Sequence, residues 1–143
     1  MATVSDALSE IIERTSCKIN GETTELPGIF GVGTHTTPLD PADLEPLCES
    51  GKPVYVYAGI GRGKHRVTDA IKEAAEKTPG GLDDKSRGLV MLRYNRSSTP
   101  VLTVAEVTEI TTFLSPYKNM KIACGFADDR SLDSQVKIVL VTA

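Results

Sequence analysis

Apolar residues recur along the chain with two distinct periods. Val4, Ala7, Leu8, Ile11 and Ile12 follow the i, i+3, i+4, i+7, i+8 spacing of one helical face, so an amphipathic helix is expected from Val4 to Thr15. The stretch KINGETTELPGIFGVGTHTTP that follows is rich in Gly, Thr and Pro and reads as loop, with a short hairpin at Asn20-Gly21. Asp40-Pro41 then opens a short helix through DPADLEPLCES, with Asp40 as N-cap and Pro41 at the first helical position. From Pro53 the runs alternate cleanly. PVYVYAGI reads as a buried strand, and Val67, Ala70, Ile71, Ala74 and Ala75 form a helical stripe. GLVMLRYN is a second strand. Val104, Val107, Ile110 and Leu114 mark a helix entered from Thr103 and stopped before Pro116. MKIACGFA and QVKIVLVTA are the third and fourth strands, separated by the polar turn ADDRSLDS. The order predicts an α+β sandwich: a four-stranded mixed sheet backed by two helices, with an extra N-terminal helix and loop.

The 143 residues suit one domain with a sizeable core. A net charge of −3, no Trp and few other aromatics argue against a nucleic-acid surface and against an anionic membrane as partner. No segment approaches the length of an apolar membrane span. Cys17, Cys48 and Cys124 are widely spaced and odd in number, which implies neither a disulfide framework nor a zinc site and fits a reducing, cytoplasmic setting. No metal or cofactor is expected.

The glycine-rich stretch YAGIGRGKHR carries four basic side chains between a strand and a helix. A phosphate-cradling P-loop needs G-x-x-x-x-G-K-[ST]; here Gly59, Gly61 and Gly63 have the wrong spacing and no Ser or Thr follows Lys64. The dinucleotide pattern G-x-G-x-x-G also fails. The glycines are expected to supply positive φ at a tight turn. Arg62, Lys64, His65 and Arg66 remain candidate binding residues, as a contact for an acidic partner or an anionic metabolite, against the alternative of a solvated helix entrance. His35 and His65 are read as surface histidines, Cys124 as a buried inert thiol, and the acids of ADDRSLD as a turn neutralised by Arg130.

Four segments resemble, in order, the C-terminal domain of FtsZ, the tubulin-like cell-division GTPase: LDPADLEPL from Leu39, the glycine turn and alanine-rich helix after Tyr57, GLVMLRYN with TVAEVTEITTFL, and the closing NMKIACGFADDRSLDSQVKIVLVTA. The resemblance covers 39–143 and divides the chain into an N-terminal helix and loop, 1–38, and an FtsZ C-terminal-like domain, 39–143. It implies a four-stranded sheet with a closing hairpin, and a glycine turn that does not bind nucleotide. The family's nucleotide sits on a G-G-G-T-G-[ST]-G loop, which is absent from this sequence. This chain alone is therefore expected to bind no GTP and to be no enzyme by itself. The resemblance places the family's catalytic carboxylates, which act in trans on the next subunit's γ-phosphate, at Asp40 and Asp43. Where the family has an asparagine two residues before the first aspartate, this chain has Pro38, which offers neither amide nor N–H. The sequence also ends after the last strand, so partners of the family's flexible tail are not expected. The implied function is an interaction or filament-associated module whose partner is an FtsZ-family GTPase or a second copy. The alternative is a small α+β enzyme or a protein that binds an anionic metabolite.

Overall fold

The computed structural model describes residues 4–30, 37 and 39–143. His35 and Pro38 lie outside the described residues. Helix α1, Val4–Thr15, is followed by strand β1, Ile19–Gly21, and two 3-10 turns, Thr23–Glu25 and Pro27–Phe30. A third 3-10 turn, Pro41–Asp43, leads into the short helix α2, Glu45–Glu49. Then come β2 (Val54–Gly61), α3 (Arg66–Lys77), β3 (Arg87–Tyr94), α4 (Val104–Leu114), β4 (Lys121–Asp128) and β5 (Val136–Thr142).

The strands form one mixed sheet in the order β1-β2-β5-β3-β4. β1 to β4 run in one direction, and β5 lies antiparallel between β2 and β3. Two expectations are corrected here. The sheet has a fifth strand: Asn20-Gly21 forms no hairpin but pairs parallel to β2 through Asn20 and Tyr55. β1 is three residues long and carries no apolar run, so nothing in its pattern marks it. The segments after Asn119 form no hairpin either. β4 pairs with β3 at the sheet edge, and the ADDRSLDS connection crosses over β3 to bring β5 into the centre.

The central position of β5 explains its composition. A strand covered on both faces needs apolar residues on both, and Ile138, Val139, Leu140 and Val141 are all fully buried. Ile138 and Leu140, with Val90 and Leu92 of β3, pack under Val67, Ala70, Ile71 and Ala74 of α3 and Ile110 and Leu114 of α4. Val139 and Val141, with Met91 and Val56, face a second layer made by Leu8 and Ile11 of α1, the turn residues Leu26, Ile29 and Phe30, and Leu44 and Leu47. The N-terminal segment thus shares a core with the sheet, opposite α3 and α4. Three apolar residues depart from their expected places. Val104, at the first position of α4, is 84% exposed, while Cys124 is exposed on the edge strand β4 instead of buried. Ile60 near the end of β2 is also exposed.

The helix expected over DPADLEPLCES is broken in two. Pro46 has no N–H to donate to the carbonyl of Ala42, so the ladder is interrupted between the 3-10 turn and α2.

Candidate functional site

Asp40 and Asp43 sit together on the Pro41–Asp43 turn. Asp40 has extended backbone, and its Oδ1 accepts from the Ala42 N–H at 2.8 Å. Asp43 Oδ2 accepts from the Asp40 N–H at 3.0 Å, closing a reciprocal capping box. Pro41 fixes the first position of the turn, and Leu39 and Leu44, both buried, anchor its two sides. The turn therefore fixes both carboxylates, Asp40 exposed and Asp43 half-buried. The bonds inside the turn use only part of their acceptor capacity, since each carboxylate offers about four lone-pair sites.

Asp43 borders a pocket of about 170 Å³ whose rim carries Arg87 and Lys121, with Pro46, Gly88 and Ile122 among its other walls. Arg87 and Lys121 are register partners at the starts of β3 and β4. Parallel pairing brings the two strand starts to one end of the sheet, where they face the acidic turn. The sequence reading did not select these two cations. Their signal was present, as a basic residue opening each of two strands, but it becomes meaningful only once the strands are known to be parallel neighbours.

The glycine loop lies at the opposite end. β3 is eight residues long, so about 26 Å of strand separates the two ends. The structure brings Asp40 and Asp43 together and keeps the basic set away from them. It also divides that set. Arg62, Lys64 and His65 are exposed. Arg66 is 3% exposed and fully engaged: its Nε donates to Glu106 Oε2 at 2.6 Å, its Nη2 to Glu106 Oε1 at 3.1 Å, and its Nη1 to the Ser134 carbonyl at 2.7 Å. The Arg66 guanidinium holds Glu106 below its ordinary carboxylate range, against the opposing effect of burial. Glu106 also accepts from the Thr103 N–H at 3.1 Å and so caps α4. A pocket of about 280 Å³ beside Lys64 is lined by both Arg66 and Glu106. Its carboxylate opposes an anionic ligand there.

The glycines act in two ways. Gly63 has φ +81 and supplies the left-handed turn into α3. Gly59 and Gly61 instead give α3 room to lie on β2, since a Cβ would meet the Ala70 carbonyl oxygen at 2.0 Å and the Arg66 carbonyl oxygen at 1.7 Å. No phosphate cradle is needed to explain any of the three.

In the 128–134 turn, Asp129 Oδ1 accepts from Ser131 Oγ at 2.6 Å, and Arg130 lies 3.8 Å from Asp128. Among the described residues, no group of three or more His, Cys, Asp or Glu side chains is placed to hold a metal, and no helix is long and apolar enough to cross a membrane.

No protein-family model matches the chain, and no curated protein sequence resembles it significantly. Solved structures do share its fold. A mutant FtsZ of M. jannaschii aligns with a TM-score of 0.64 at 20% identity, over 85% of this chain and 36% of that one. CetZ from Methanosaeta thermophila aligns with a TM-score of 0.61 at 16% identity, over 84% of this chain and 34% of that one. TubZ of Bacillus thuringiensis, solved as GDP-form protofilaments, aligns with a TM-score of 0.57 at 15% identity, over 96% of this chain and 39% of that one. The chain has the α+β fold found within these tubulin-like proteins and spans about a third of their length. The similarity to FtsZ read from the sequence segments is thus met at the level of the fold.

Proposed function

We propose that this chain is an interaction module of a tubulin-like filament system, docking through the Asp40–Asp43 turn onto the nucleotide-bearing face of an FtsZ-family GTPase. The observation that carries this reading is the capped turn that presents exposed Asp40 and half-buried Asp43 at one end of a fold shared with FtsZ and TubZ. The flanking Arg87 and Lys121 add a mixed-charge rim that suits a polar interface better than a buried ligand. The chain binds no guanine nucleotide by itself in this reading, and its carboxylates act only in trans, orienting water at a partner's γ-phosphate. A second copy of the chain is the other partner of this class. Binding of a small anion near Lys64 is disfavoured, because Glu106 sits in that pocket and already neutralises Arg66.

The test is GTP turnover by a full-length FtsZ-family protein with this chain in excess, beside its Asp40→Asn and Asp43→Asn variants. Asparagine keeps the capping hydrogen bonds and removes the charge. A change in turnover that the variants abolish supports docking. Unchanged turnover together with no co-sedimentation on filaments overturns it.

A further inference from the structure

Two cysteines far apart in sequence are brought to the walls of one pocket. α1 ends in a reversal in which the Cys17 N–H donates to the Ile12 carbonyl at 3.0 Å and the Ser16 N–H to the Glu13 carbonyl at 3.3 Å. Ser16 takes the left-handed φ of 54° that this type of helix end requires. Cys17 is thereby turned back against the layer that holds α2. Cys48 is fixed inside that short helix by its N–H bond to the Leu44 carbonyl at 3.1 Å. The Arg14–Glu45 ion pair, at 2.5 Å, ties the same two helices together. Cys48 is buried, and Cys17 packs half-buried against the same core. Both border one solvent-connected pocket of about 300 Å³, whose rim includes Lys18 and Lys52.

We propose that Cys17 and Cys48 are an oxidation site, at which an anionic small-molecule disulfide of the glutathione type closes a bridge between α1 and α2. The two lysines attract the oxidant's carboxylates to the pocket mouth. Cys17, the more accessible thiol, attacks one sulfur of the oxidant as thiolate, forming a mixed disulfide and releasing one thiol. Cys48 then loses its proton and attacks the Cys17 sulfur, releasing the second thiol. Two protein thiols are oxidised and one disulfide is reduced to two thiols, so electrons and protons balance. Burial and the neighbouring Cys48 push the Cys17 thiol up to about 12, so the first step is slow at neutral pH and quickens with alkali. Cys124 is exposed on β4 and serves as an internal contrast, able to form a mixed disulfide but with no described thiol beside it.

The experiment incubates the folded Cys124→Ser protein with glutathione disulfide, quenches with acid and maps the peptides by mass spectrometry. The expected product is a linked Cys17–Cys48 peptide that has lost two hydrogens and retains no glutathione. Its Tm should rise by roughly 5–10 °C and return to the starting value with dithiothreitol. With Cys48→Ala added, glutathione should stay on Cys17. A lasting glutathione adduct on Cys17 beside a free Cys48, or no reaction at either thiol at alkaline pH while both react in denaturant, overturns the proposal. The first preparation decides the matter even where Cys48→Ala does not fold.

Discussion

Arg66 and Glu106, forty residues apart, form a two-bonded ion pair at 2.6 and 3.1 Å that joins the first turn of α3 to the first turn of α4. With side-chain exposures of 3% and 16%, the pair is shielded from most screening. Removing one partner leaves a desolvated charge, which typically costs about 3–5 kcal/mol. Arg66→Met and Glu106→Gln are each expected to lower stability by about 3 kcal/mol. The double change Arg66→Met/Glu106→Gln should cost clearly less than the two together. A double-mutant cycle by urea unfolding measures this, and additive costs would show that the pair does not act as a unit.

The same pair sets a pH dependence. Glu106 is held below its ordinary value of 4.5, so its folded form binds a proton less readily than its unfolded form. Its contribution is then complete above pH 4.5 and is lost as pH falls through the lower folded value. The stability gap between the wild-type protein and Glu106→Gln should therefore be widest near neutrality and shrink in acid. Thermal melts across that range test this; a gap that is constant or grows as pH falls contradicts it.

This pair also marks where reading the sequence stops. The stripe Val67, Ala70, Ile71, Ala74 identified α3, because helical period is a local property, and all four residues are fully buried. The four long strands were legible for the same reason. Arg66 was not separable from Arg62 and Lys64, because burial of one cation in a basic run depends on a carboxylate forty residues away. The pairing of Arg87 with Lys121, the short strand β1 and the pocket shared by Cys17 and Cys48 are likewise products of topology. Asp40 and Asp43 were visible both as a cap and through the resemblance to FtsZ. The capping geometry explains their local positions, and a role in trans has to be measured against it.

Asp133 holds φ 52° and ψ −121°, a backbone region that side chains rarely occupy. It immediately precedes Ser134, whose carbonyl accepts from Arg66. Such a conformation costs about 1–3 kcal/mol for a residue with a Cβ, while glycine adopts it freely but is more flexible when unfolded. Asp133→Gly should stabilise the protein by about 1 kcal/mol, seen as a rise of a few degrees in Tm. A fall in Tm would mean that the Asp133 side chain contributes more than its backbone strain costs.

Gly59 and Gly61 at the end of β2 and Gly63 in the loop to α3 should respond to alanine in opposite proportion to their apparent place in a turn. Gly63 has the positive φ, yet nothing lies within 4 Å of its virtual Cβ. Alanine there meets only the left-handed backbone penalty, about 1 kcal/mol. Gly59 and Gly61 meet backbone oxygens of α3 at 2.0 and 1.7 Å, so alanine must push the helix away from the sheet. That motion would open the core beneath Val67, Ala70 and Ile71, all fully buried, and should cost about 3 kcal/mol or more. Urea midpoints of the three single variants give the ranking directly. If Gly63→Ala proved the most damaging, the loop's conformation rather than helix–sheet contact would be the element that the glycines protect.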